Sequence, residues 1–261
     1  LMGVGPLLGW RVSTAETLRR QFTWPALATL LTTALLALGG VRQPLPLIGF
    51  AVCVLILATI VQEFARGAKA RRLTTGEGWM AAIANLTRRN QRRYGGYIVH
   101  LAIVLMAIGI IGNTFYQLEG QANLAVGESL TVGEYTLTYR GLNQRIEDNH
   151  QAIFATLDIF RDGRLIGTLQ PQRNIYFKTP DQPTSEVGIR ASLREDVYAV
   201  LAGWDEGGVR ASFKVYINPL MSWLWIGGVV LLLGTLIAIW PHERQVAAAS
   251  VRAPVGAARR A

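Results

Sequence analysis

The 261-residue chain has one cysteine, Cys53, so no disulfide, thiol pair or cysteine-built metal site can form within it. Cys53 lies in an apolar run and reads as a small core residue. Charge is scarce: 16% of residues are charged, where a soluble domain averages about 25%. Acidic residues are scarcer still outside residues 116–216, which hold 13 of the 17; elsewhere 4 acidic residues stand among 16 basic ones. No phosphate-cradling loop, carboxylate pair or Ser/His/Asp set stands out, and the "GEG" and "DEGG" stretches are turns. The opening "LMGVGPLLGW" has no basic n-region and no small-residue cleavage site, so no cleavable leader is expected in that stretch. It begins on Leu and reads as the tail of an earlier apolar segment, so we expect a portion of a longer, processed or split protein.

What is present is apolar. Hydrophobic residues make up 51% and mean hydropathy is +0.27. Four runs have the length and lack of charge of a spanning helix, about 20 residues for a hydrocarbon core about 30 Å thick: 24–40, 45–61, 94–115 and 219–240. The first two, joined by "GGVRQPLP", read as a hairpin of spans. The net charge of +9 would suit nucleic acid if it were spread over one face. Instead 15 of the 16 outlying basic residues lie in the N-terminal stretch, the segment between spans two and three, and the C-terminal tail; Arg42 alone lies in the opposite loop. That is the positive-inside pattern, and it excludes nucleic acid as the reason for the basicity. It predicts a cytoplasmic start (residues 1–23), a hairpin of spans (24–64), a cytoplasmic basic loop (65–93), a third span (94–115), an external domain (116–217), a fourth span (218–240) and a disordered cytoplasmic tail (241–261). Trp223 and Trp225 suit the outer interfacial belt and Trp240 the inner one.

Within the basic loop, Thr74 and Glu77 have capping-box spacing. Trp79, Ile83 and Leu86 then recur on one face, ahead of Arg88, Arg89, Arg92 and Arg93. This predicts an amphipathic helix lying on lipid headgroups, or docking a partner. From residue 116 the period changes to two. "SLTVGEYTLTYRG", "QAIFATLDIF", "RLIGTLQ", "SEVGIRASL", "DVYAVLAG" and "GVRASFKVYI" read as short strands, and Asp162-Gly163 as a tight hairpin turn. The fold class expected is an α-helical membrane bundle with four spanning helices and an inserted external all-β domain, barrel- or sandwich-like. Because that domain enters and leaves through two spans, its ends must lie close together.

Chemistry centres on "RRNQRRYGGYIVHLAIVLMAIGIIGNTFY", residues 88–116. Seven residues beyond Arg93, His100 lies roughly 10 Å deeper on a rise of 1.5 Å per residue. An ionisable ring at that depth is costly and marks a functional site, unless it donates one structural hydrogen bond to a neighbouring helix. Its stripe reads Arg93, Gly96, Tyr97, His100, Ile103, Val104, Ala107. The small residues would admit a flat group, and Arg93, with Arg92 beside it, is a hypothetical partner for an acidic group such as a propionate. A haem with His100 as axial ligand suits the layout; ordinary helix packing uses small residues too. Met106 and Met221 are badly placed for the opposite axial position, so if His100 binds a haem with two strong ligands, the other must come from outside this chain. His150 reads as a solvated turn residue and His242 as a boundary residue.

At "RRYGGYIVHLAIVLMAIGI" the sequence resembles the C-terminal part of the CcmF family, the haem lyase components of cytochrome c maturation. "LMGVGPLLGWR", "TSEVGIRASLREDVYAVLAG" and "NPLMSWLWIGG" resemble that family in the expected order. The resemblance implies that His100 is the family's second transmembrane ligand to haem b. The first such ligand, the tryptophan-rich haem-handling segment and its two flanking histidines have no counterpart here, so this chain would not be active alone. It further implies a bacterial inner membrane with the β domain in the periplasm. Its partners would be the remaining N-terminal part of the CcmF-like protein, the haem chaperone CcmE, CcmH and CcmI, and apocytochrome c, with quinol as electron source and lipid around the spans. Nitrite-reductase-associated paralogues share the motifs. Two other readings stay open: a membrane-anchored β-domain scaffold with a structural His100, and a transporter piece with His100 as proton relay. The second is disfavoured by the expectation that the spans hold no other buried ionisable residue.

Overall fold

The computed structural model describes residues 15–241; the opening segment with Arg11, His242 and the tail from Arg244 lie outside them. The described chain begins with helices α1 (Ala15–Leu38), α2 (Pro44–Thr75), α3 (Trp79–Arg89) and α4 (Gln91–Tyr116). Ten strands follow: β1 (Leu118–Ala125), β2 (Ser129–Val132), β3 (Tyr135–Ile146), β4 (His150–Arg161), β5 (Arg164–Leu169), β6 (Gln172–Tyr176), β7 (Thr184–Glu186), β8 (Gly188–Arg190), β9 (Glu195–Trp204) and β10 (Arg210–Pro219). Helix α5 (Met221–Ile239) closes the described chain. Among the described residues four helices are long and apolar enough to cross a membrane: Gln21–Leu38 of α1, and α2, α4 and α5. Their exposed Leu30, Leu31, Leu38, Leu232 and Ile239 are what a helix surrounded by lipid presents.

The basic loop differs from expectation at both its boundaries. Helix α2 does not stop near residue 64 but runs to Thr75. "QEFARGAKARRLTT" is rich in Ala and Arg and has no proline, so nothing breaks the helix where the apolar run ends. The capping box does not form. Thr74 Oγ1 donates back to the Arg71 carbonyl at 2.9 Å, and α3 starts after Gly78 with no side-chain cap. Glu77 instead accepts from Arg71 Nε and Nη2, both at 2.8 Å, and from Asn85 Nδ2 at 3.2 Å. A two-pronged charged contact is stronger than the single neutral bond a cap offers.

The chain divides into two compact units, one holding α1, Ala51–Val104 and the part of α5 from Gly227, the other Gly39–Phe50 and Leu105–Ile226. In the second, the strands form a β-sandwich. One sheet has the order β1-β10-β9-β8; the other has the order β2-β3-β4-β6-β7, with β5 also on β4. Alternation along β9 and β10 turns Val197, Leu201, Phe213 and Val215 inward, against Leu137 and Leu157. The expected hairpin forms: Asp162 and Gly163 both have positive φ, +50° and +72°, as a two-residue turn between β4 and β5 requires. The domain's ends are neighbours. β1 pairs with β10 from Leu118↔Ile217 to Ala125↔Arg210, and Gln117 Nε2 donates to Asn218 Oδ1 at 2.6 Å.

From β10 the chain turns directly into α5. Leu220 takes φ +59°, a conformation costly for a branched side chain, and its N–H is held by the Arg194 carbonyl at 2.9 Å. Gly109 and Gly112 of α4 make room for this joint: a Cβ on either would lie 2.9 Å from Leu224 N or Leu220 Cβ. His150 is not a solvated turn residue. It opens β4, its side chain is 12% exposed, and its ring stacks 5.1 Å from Tyr176.

Candidate functional site

The site lies in the first unit, on α4, whose sequence gives it three different faces. Tyr94 and Tyr97 are buried with Ile60 of α2, packed by Phe64 and Leu86; the Phe64 and Tyr94 rings meet edge-on at 5.0 Å. Gly95 faces α5 so closely that a Cβ there would lie 2.7 Å from Ala238 N, and a Cβ on Gly234 would lie 2.9 Å from Val99 N. Small residues are what let two apolar helices approach to backbone contact. The third face carries Gly96, His100 and Ile103. A Cβ on Gly96 would meet nothing within 4 Å, and Ile103 is 38% exposed. The predicted stripe is thus divided: Tyr97 and Val104 turn inward, Gly96 and Ile103 border open space, and His100 between them is half-buried.

His100 Nδ1 is buried and has no hydrogen-bond partner among the described residues. A neutral imidazole has one donor and one acceptor nitrogen, and leaving a buried one unmet costs about 1–3 kcal/mol.

Arg93 is placed differently from expectation. Its Nη2 lies 2.6 Å from Glu63 Oε2 of α2, and its Nε donates to Tyr97 Oη at 3.0 Å. Tyr97 Oη in turn reaches Glu63 Oε2 at 3.3 Å, and Arg66 Nη1 approaches Glu63 Oε1 at 3.6 Å. The guanidinium therefore already has a carboxylate partner inside this chain, although the Arg93 side chain stays 58% exposed. Arg92 is exposed on the first turn of α4.

Glu63 is the residue that sequence reasoning missed, and it overturns the expectation that the spans hold no other buried ionisable group: the residue is 8% exposed. On a rise of 1.5 Å per residue it lies roughly 29 Å along α2 from Pro44, about one hydrocarbon thickness. The available signal was its isolation, as the one acidic residue between positions 17 and 76. It is hydrogen-bonded to Arg93 and Tyr97, not to His100, so no direct proton path joins the two. Among the described residues no cluster of three His, Cys, Asp or Glu could hold a metal ion. A ligand that arrives with its own metal would meet one half-buried imidazole with an unmet nitrogen, one turn from a glycine whose Cβ position is open.

Known proteins resemble this chain. The family model described as the CcmF C-terminal beta-sandwich matches residues 115–219. The cytochrome c-type biogenesis protein CcmF of Escherichia coli (strain K12) is 26% identical over 97% of this chain and 37% of its own length. NrfE of Haemophilus influenzae, also a cytochrome c-type biogenesis protein, is 28% identical over 59% of this chain and 24% of its own length. A solved structure, "Cytochrome c Heme Lyase CcmF", superposes with a TM-score of 0.70 at 27% identity, covering 92% of this chain and 38% of that one. The chain thus spans little more than a third of the length of the CcmF proteins it matches. Its residues 115–219 match the CcmF C-terminal beta-sandwich, and over nearly its whole length the chain resembles part of CcmF.

Proposed function

We propose that this chain contributes one axial ligand, His100, to a haem b held in the membrane part of a CcmF-type haem lyase serving cytochrome c maturation. The observation that carries the reading is the unpartnered Nδ1 of half-buried His100, one turn from the open Cβ position of Gly96. When bound, such a haem supplies one-electron transfer, here to reduce haem destined for covalent attachment.

The chain's own residues do the following. The imidazole of His100 donates a lone pair from a fixed position on α4. Gly96, one turn away, removes the side chain that would hold a flat group off the helix. Arg93 presents a cation two turns toward the cytoplasmic end, where the propionates of an inserted haem would lie; Arg92 beside it is the second candidate for that contact. A second ligand to the iron would come from an N-terminal part such as the CcmF relatives possess. The β-sandwich, in the periplasm of a bacterial inner-membrane protein, faces the delivery partners CcmE, CcmH and CcmI and apocytochrome c, and quinol supplies the electrons.

The test is the visible spectrum of the purified holo-complex that includes the N-terminal portion. A low-spin b-type signal should be lost in His100→Ala while the complex still assembles. An unchanged spectrum in that variant would leave the scaffold role with a structural histidine.

A further inference from the structure

Glu63 has no role in the reading above, yet its placement is expensive. A carboxylate at the edge of the hydrocarbon, with a side chain 10% exposed, loses several kcal/mol of hydration unless it is paired. Its partner does not share the need. Arg93 is more than half exposed and, at the first turns of α4, has a stem long enough to snorkel toward the headgroups. Without Glu63, nothing charged on α2 or α4 would hold the guanidinium against the helix: Arg66, the other ionic neighbour of Glu63, is a cation. The acid therefore keeps the arginine down.

The same contacts index the rotation of α4. Contacts through Gly95 and Gly234 bring α4 and α5 close, but a glycine has no knob to lock into a hole. Hydrogen bonds are directional. Arg93 and Tyr97, four residues apart, both bond Glu63 Oε2, and two grips one turn apart on a single atom fix which side of α4 faces α2. His100 is three residues beyond Tyr97, so that rotation sets which way its ring points and keeps it out of the Ile60–Tyr94 packing.

Building on the haem-ligand reading, we propose that Glu63 is a positioning residue for His100: through Arg93 and Tyr97 it sets the rotation of α4 and balances the arginine's charge beside the haem. The experiment uses the holo-complex with Glu63→Gln, Arg93→Gln, the double variant and His100→Ala. Haem per polypeptide, the low-spin electron paramagnetic resonance spectrum and the haem midpoint potential are measured. Glu63→Gln should retain a b-type signal but release haem about 10-fold more readily, the scale of losing an outer-shell partner. Its resonance spectrum should be altered, because the imidazole plane is no longer held, and its potential should rise, because an unbalanced cation disfavours the ferric state. The double variant, with no charge left unpaired, should lose no more haem than the worse single variant.

An unaltered resonance spectrum and potential in Glu63→Gln would overturn the proposal. So would a double variant whose haem loss is the product of the two single losses; if Glu63→Gln fails to assemble, that comparison of the double variant with Arg93→Gln decides. His100→Ala separates the two readings. A b-type signal that survives it defeats the ligand assignment, whereas its loss alongside a silent Glu63→Gln defeats this proposal alone.

Discussion

Gly95 and Ala238 meet backbone to backbone: a Cβ added at Gly95 would lie 2.7 Å from Ala238 N and 2.8 Å from its Cα. One residue further on, a Cβ at Gly96 would touch nothing within 4 Å. Adjacent glycines thus serve opposite purposes, one admitting α5 and the other leaving a helix face bare.

The two positions should therefore separate folding from haem binding. Gly95→Val forces α4 and α5 apart and should cost at least about 1–3 kcal/mol, the range for overpacking. It should be read as lower yield and a lower thermal midpoint in detergent. Gly96→Ala should leave stability level or raise it by up to about 1 kcal/mol, since alanine is the better helix former. It should nevertheless weaken haem retention if a flat group lies against that backbone. Equal melting of the two variants would remove the distinction.

In the β-sandwich, Tyr139 is fully buried, and its hydroxyl donates to the Gly208 carbonyl at 2.8 Å. Tyr139→Phe keeps the ring, packed 5.2 Å from Phe213, and leaves that buried carbonyl unmet. A loss of about 1–3 kcal/mol is expected, seen as faster amide hydrogen exchange along β3 and β4. Exchange unchanged from the parent protein would mean that water replaces the hydroxyl.

The domain should also lose stability in acid, through Asp158. Arg140, donating from Nε at 2.7 Å, and Thr168, donating at 2.9 Å, hold its carboxyl below the usual carboxylate range in the folded state. A depressed folded pKa means the stabilisation is complete above the unfolded value, about 3.9. It drains away as pH falls through the folded value. Arg140→Gln should flatten the fall of the thermal midpoint below about pH 4. At neutral pH, where the pair is partly exposed and screened, it should cost no more than about 1 kcal/mol. The midpoint measured from pH 6 to pH 3 checks both parts, and parallel curves for the two proteins would contradict the assignment.

Some of this molecule was legible before any coordinates, and the reason is local. The four apolar runs carry their own length signal. "QAIFATLDIF" and "GVRASFKVYI" alternate because one face of each strand is buried, and Asp162-Gly163 is a turn whatever surrounds it. β1, "LEGQANLA", and β6, "QRNIY", were not legible: their side chains are mostly polar or half-exposed, and they become strands through the partners β10 and β4 offer. Thr74 and Glu77 misled because the cap spacing was present while a stronger partner, Arg71, lay one turn back in the chain.

His100 announced itself because one ionisable ring in an apolar helix needs no neighbours to be conspicuous. Glu63 did not, because its meaning depends on Arg93 and Tyr97, which lie 30 and 34 residues away in the chain. Sequence by itself determined which segments are apolar, which alternate and which carry the cations, since those properties belong to single residues and their spacing. Tertiary structure alone decided which side of α4 is covered, whether Arg93 has an acidic partner, and that the imidazole nitrogen has none. Each of these is a matter of distance between helices, which chain order does not encode.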